Sequence, residues 1–224
     1  MPRRSRGKEI KGKRTKDKPK CKIYIFCEGQ TERIYLEHFE NRLYNVQIIP
    51  VNTEHTDAYG IVKYARQYID KADLDLELGD RGYCVFDSDP KSNPNIKDTF
   101  NLLRGYKNKG LDCIFSNPCF EVWFALHFGN VPYSKDAKGM KKHVKDQVKS
   151  KLGVLDYSET TDIYQYLQEW QQEAVKRAKI LHNNQMQVHE TVYSHECNPY
   201  TDMFYFIEYM EEIRKQNTSS ESVV

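Results

Sequence analysis

The chain has no run of about 18 apolar residues, so no segment reads as a membrane-spanning helix. Its basic start lacks the apolar stretch of a secretory signal. No Cys-x-x-Cys pair occurs, which removes the basis for a zinc ribbon. No Gly-x-x-x-x-Gly-Lys-Ser/Thr loop occurs, so the chain is not itself a P-loop ATPase. The absence of a Gly-x-Ser-x-Gly elbow argues against a serine hydrolase. No internal repeat is visible.

What is present is a globular composition. Apolar residues make up 39% of the 224 and charged residues 29%, a balance that needs no membrane. The length suits one α/β domain with appendages or two small domains. The six cysteines (Cys21, Cys27, Cys84, Cys113, Cys119, Cys197) are scattered and read as small buried residues of a reducing cytoplasm. The net charge of +2 hides an asymmetry: residues 1–20 carry ten Lys/Arg and two acids, and the remainder carries 24 Lys/Arg and 30 acids. A basic arm at +8 thus precedes a body at −6. Arg3, Arg4, Arg6, Lys8, Lys11, Lys13 and Arg14 are its candidate nucleic-acid contacts, through phosphate electrostatics rather than base stacking, since the arm has no aromatic residue. A solvated tail without a partner is the alternative.

Residues 1–20 hold only Ile10 as a large apolar side chain and are predicted to be disordered. The segment 216–224 is expected to be loose. Between them strand and helix signals alternate. Short apolar runs at Ile23–Cys27, Val46–Val51, Tyr83–Phe86 and Leu111–Phe115 read as strands buried on both faces. Helical spacing follows to about Leu43, over Tyr59–Ala72, over Asn95–Lys109 and over Cys119–Phe128, the last with Asn117 as cap and Pro118 in its first turn. After Gly129 strand signals stop. A basic helical stretch is expected over 135–151, and further helices over Asp162–Leu181 and Thr201–Arg214. Strand–helix alternation implies right-handed crossovers and a mostly parallel four-stranded sheet. Residues 21–130 are expected to form this α/β domain, and 131–215 a helical region packed on it.

Parallel strands bring their C-terminal ends to one edge, where ligands of open α/β sheets bind. Glu28 follows the first strand, Asp87 and Asp89 follow the third, and Glu121 lies in the first turn of the helix after the fourth. Carboxylates gathered there repel one another, and a hard divalent cation relieves that repulsion; Mg²⁺ accepts two or three of them and keeps its waters. Asp87 and Asp89, two apart, point to the same side of an extended backbone. Each residue also has an ordinary role: turn chemistry for Asp-x-Asp-Pro, dipole complementation for Glu121. Glu32 is either a supporting acid beside Glu28 or a first-turn charge. His127 either reaches substrate or packs beside Trp123. Arg177 either meets phosphate or lies on a charged helix face.

Four segments together resemble one family. Cys27-Glu28-Gly29-Gln30-Thr31-Glu32, Tyr83-Cys84-Val85-Phe86-Asp87-Ser88-Asp89, Ser116-Asn117-Pro118-Cys119-Phe120-Glu121-Val122-Trp123 and Asn198-Pro199-Tyr200-Thr201 are similar, in order and rough spacing, to motifs of RloB-like proteins. The resemblance implies a Toprim-like core, in which Glu28 is the acid/base or metal-linked glutamate and Asp87 and Asp89 bind Mg²⁺ or Mn²⁺. Glu121 belongs to the third motif. The resemblance further implies a metal-dependent nuclease acting on DNA or RNA in a bacterial anti-phage, abortive-infection system, paired with an ATPase. A non-catalytic subunit that binds nucleic acid or the ATPase is the rival expectation.

Overall fold

The computed structural model of the chain describes residues 20–131 and 136–221, the last three as backbone only. The arm residues named above, from Arg3 to Arg14, lie outside the described residues.

Five strands form one sheet. They are β1 (Cys21–Cys27), β2 (Val46–Pro50), β3 (Arg81–Asp87), β4 (Leu111–Asn117) and β5 (Tyr200–Thr201), in the order β2-β1-β3-β4-β5. The first four are mutually parallel, and β5 runs antiparallel to the end of β4, pairing Thr201 with Ser116 and Tyr200 with Asn117. The sheet therefore has one strand more than the four expected. β5 has two residues and no apolar run of its own; it exists because the chain returns to cover the last residues of β4.

Helices α1 (Gln30–Glu37), α2 (Ala58–Ala72), α3 (Ile96–Arg104) and α4 (Glu121–Phe128) each follow a strand. The helical region holds α5 (Ala137–Gln147), a π-turn over Val148–Leu152, α6 (Tyr164–Leu167), a 3₁₀ turn over Gln168–Trp170, α7 (Gln171–Val188) and α8 (Met203–Glu221). Asp57 caps α2 by accepting from the Gly60 N–H at 2.9 Å, and Asp136 caps α5 by accepting from the Gly139 N–H at 2.7 Å. The helix expected over 162–181 is broken at Gln168–Trp170, and α8 continues to residue 221, where a loose end was expected from Gln216.

Alternate strand residues enter two separate cores, as a period of two requires. Tyr24, Phe26, Cys84, Phe86, Cys113 and Phe115 pack under α2 and α3. Ile23, Ile25, Tyr83, Val85 and Ile114 face the other way, into one apolar cluster that also takes Phe39, Trp123, Val144, Leu167, Ala178 and Phe206. A fully buried side chain of this size stabilises by about 1.5–3 kcal/mol, so the helical region is held to the sheet by a shared core. None of the six cysteines is in a disulfide. No helix among the described residues is long and apolar enough to cross a membrane.

Candidate functional site

The C-terminal edge of the sheet begins where β1 ends. The Glu28 N–H donates to the Val85 carbonyl at 3.1 Å, extending the β1–β3 ladder by one residue. The Glu28 carboxylate then lies across the end of β3, where Oε2 accepts from the Asp87 N–H at 3.4 Å and from the Asn93 side-chain amide at 3.3 Å. The same amide donates to the Asp87 carbonyl at 2.8 Å, and the Asn93 Oδ1 accepts from the Ala58 N–H at 2.5 Å. One buried side chain thus ties the start of α2, the end of β3 and Glu28 together.

Glu32 and Glu121 complete a group of acids. Both are buried, at 6% and 3% exposure. Burial holds the Glu28 carboxyl above its usual range, with the charges of Asp89 and Asp57 adding to the shift. Burial, then the charges of Glu121 and Glu28, push Glu32 up to about 7. Asp87 is raised well above a free aspartate by burial first and then by Glu32, Glu121 and Glu28. Glu32, Glu121 and Glu28 act on Asp87, and Glu121 and Glu28 act on Glu32, so these four form one electrostatic unit, with Asp89 and Asp57 acting on it through Glu28. Gly29 makes room for it: a Cβ there would stand 2.7 Å from Glu32 Oε2. That oxygen is buried and has no hydrogen-bond partner among the described residues.

Asp89 lies beyond the end of β3 and acts on Glu28 through its charge. Its Oδ1 accepts from the Lys91 N–H at 3.0 Å and its Oδ2 from the Ser92 hydroxyl at 3.1 Å, because the backbone leaves the extended conformation after Asp87. Asn117 is no helix cap. It closes β4 ahead of a cis bond to Pro118, α4 starts at Glu121, and its amide donates to the Ser194 and His195 carbonyls at 3.0 and 3.1 Å. His127 lies at the far end of α4, with Nδ1 on the Trp123 carbonyl at 2.8 Å, and burial lowers its pKa to about 4. Arg177 donates to the Leu126 and His127 carbonyls at 2.6 and 3.2 Å, which caps the C-terminus of α4. His127 sits six helical residues, roughly 9 Å, from Glu121 along α4, and Arg177 reaches that same far end from α7.

Sequence reasoning missed Asn93 and Lys141, and it gave Tyr157 and His195 no role. Lys141 on α5 pairs with Glu159 at 2.5 Å, and the charges of Glu159 and Glu121 raise its pKa against the opposing effect of burial. The Tyr157 hydroxyl is buried, has no partner among the described residues, and feels Glu121 and Glu32. His195 Nδ1 lies 2.8 Å from Ser88 Oγ. A cavity of about 330 Å³ opens past the ends of β3 and β4, lined by Ser88, Asp89, Asn117, Asp136 and His195 among others and by none of the four acids. Asn93, before Pro94, repeats the Asn-Pro pairing of the other motifs; for the rest no local signal exists.

Among the described residues, no three His, Cys, Asp or Glu side chains are gathered as a ready metal cage. Mg²⁺ does not require one: it binds through one or two carboxylates and keeps several waters. Glu28 and Asp87 supply such a pair, and the unpartnered Glu32 oxygen among mutually repelling acids is a place that a hydrated divalent cation would relieve. The donor set fits the group.

The sequence model for RloB-like protein matches residues 23–210. The chain belongs to the RloB-like family. No curated protein and no solved structure matches it. All four acids of this RloB-like chain lie within the matched span.

Proposed function

We propose that this RloB-like protein is a Mg²⁺- or Mn²⁺-dependent nuclease with a Toprim-like core. It would cleave phosphodiester bonds of DNA or RNA in the cytoplasm, as part of an anti-phage, abortive-infection system with an ATPase partner. The observation that carries this reading is the gathering of half-buried Glu28 and Asp87 with buried Glu32 and Glu121 at the C-terminal edge of parallel strands. Such a group is costly to fold, and a structural role would be served by neutral residues at lower cost.

Glu28 and Asp87 would hold the cation, with Asp89 and Glu121 adding negative charge around it. When bound, the cation would stabilise charge on the phosphoryl oxygens. Glu28, fixed by Asn93, is placed to orient a water and take its proton as the water oxygen bonds to phosphorus. The phosphorus bond to the departing oxygen breaks, and that oxygen needs a proton. Glu32, which keeps its own proton to about pH 7, is suited to give it.

The test is cleavage of mixed DNA and RNA with Mg²⁺, Mn²⁺ or EDTA, comparing wild type, Glu28→Ala and Asp87→Ala, with and without an ATPase partner. Metal-dependent cleavage lost in both folded variants is expected. Cleavage that survives EDTA or both substitutions would rule the reading out. The lack of a three-ligand cage among the described residues favours a second reading, a non-catalytic subunit. No cleavage and no cation binding by calorimetry would select it.

A further inference from the structure

Helix α5 and its π-turn stand out in the charge map. Residues 137–152 contain six lysines and one aspartate, inside a body that carries −6 overall. Met140, Val144 and Val148 form the buried side of this segment. At about 100° per residue, Lys138, Lys142, Lys145 and Lys149 fall on a single stripe roughly 130° from that side. All four are exposed. Lys142 shares an exposed pair with Asp146 at 2.8 Å, worth only about 0.2–0.5 kcal/mol. Lys138, Lys145 and Lys149 have no ion pair among the described residues.

The stripe starts near the sheet edge. Lys141, between the buried and exposed sides, pairs with exposed Glu159 and lies in the field of Glu121. At the start of α5, Asp136 and Ala137 line the 330 Å³ cavity beside Asp89 and Asn117. From there the stripe leads away over about 16 Å, enough to run along several phosphates. The helix has no apolar side left to enter a bilayer, because Met140, Val144 and Val148 are already packed in the core. No aromatic residue lies within 137–152 to stack a base. What remains is a row of ammonium groups suited to a phosphate backbone without sequence readout.

We propose that the exposed lysine stripe of α5 is a docking track for a nucleic-acid backbone, leading it to the carboxylate edge. The destination rests on the nuclease reading; the docking does not.

The test is binding of labelled single-stranded RNA and duplex DNA to the full chain in EDTA, by fluorescence anisotropy over a series of salt concentrations. The variant is Lys138→Glu/Lys145→Glu/Lys149→Glu, and the control is Lys63→Glu/Lys71→Glu/Lys97→Glu on the other face of the sheet. We expect the track variant to bind at least tenfold more weakly, with the slope of log affinity against log salt reduced by about 2–3, and the control to bind as wild type. Unchanged melting temperatures tie the loss to the surface. Three results overturn the proposal: no binding by wild type, equal loss in both variants, or an unaltered track variant. Equal binding to phosphatidylserine vesicles, lost in the same variant, also overturns it in favour of a membrane surface. Binding that depends on the track without metal-dependent cleavage leaves the track standing and removes the nuclease reading.

Discussion

The Asn93 amide holds Glu28 in place across the end of β3, through one hydrogen bond to its carboxylate at 3.3 Å and a second to the Asp87 carbonyl at 2.8 Å. Asn93→Asp removes both donors and adds a charge facing Glu28. We expect cleavage to fall at least a hundredfold and unfolding free energy to drop by about 1–3 kcal/mol. Urea titration beside the cleavage assay checks both, and full activity in the variant would show that Glu28 needs no such tether.

The acids at the edge should destabilise the metal-free fold. Asp87 has a folded pKa well above its unfolded value, so the stability it contributes is present below about pH 4 and is lost as pH rises. Asp87→Asn removes that loss. At pH 8 in EDTA it should gain about 1 kcal/mol, or roughly 2–4 °C in melting temperature. Mn²⁺ should raise the melting temperature of wild type and leave the variant unmoved. A variant less stable than wild type in EDTA would contradict this.

Arg177 is expected to matter for folding and not for chemistry. Removing its two hydrogen bonds to the end of α4 in Arg177→Ala should cost about 1–3 kcal/mol. Cation affinity, measured by calorimetry, should stay within twofold of wild type. A selective loss of cation binding would return Arg177 to the site.

Asp202 provides a pH signature away from the edge. It is buried, accepts from the Tyr200 hydroxyl at 2.5 Å and the Phe115 N–H at 3.1 Å, and burial pushes its pKa up to about 7. Its unfolded value is near 4. Its contribution is therefore complete below pH 4 and declines as pH rises to about 7, by at most about 4 kcal/mol. Asp202→Asn should abolish that decline. The difference in unfolding free energy from wild type, taken at pH 4.5, 6 and 7.5, should move in favour of the variant as pH rises. A constant difference would mean that Asp202 is ionised throughout.

The parallel core was readable because Ile23–Cys27, Tyr83–Phe86 and Leu111–Phe115 are apolar on both faces, a local property. The expected meeting of Glu28 and Asp87 at one edge agrees with their contact in the fold, since strand ends alone fix it. Asp89 lies past the end of β3, where its oxygens accept from Lys91 and Ser92 while its charge still reaches Glu28, a turn geometry that two-residue spacing does not describe. β5 was invisible because two residues carry no periodicity and its pairing spans 85 positions. Lys141 and Tyr157 gave no signal because the helical region brings them in, and the packing of that region cannot be read from helical spacing. The Ile163-Leu167-Trp170-Ala174 pattern likewise runs through the break at Gln168–Trp170, since apolar spacing does not distinguish one helix from two joined by a tight turn.

The return of the chain at Tyr200–Thr201 also has a meaning in time. A polypeptide leaves the ribosome from its first residue onward, and β1, β3 and β4 emerge long before residue 201. Until it does, Ser116 and Asn117 lack their strand partners, Ser88 lacks His195, and the edge is unfinished. A nascent chain, or one terminated shortly before residue 195, therefore carries the parallel strands and their carboxylates without the strand that closes β4 and without the histidine that meets Ser88.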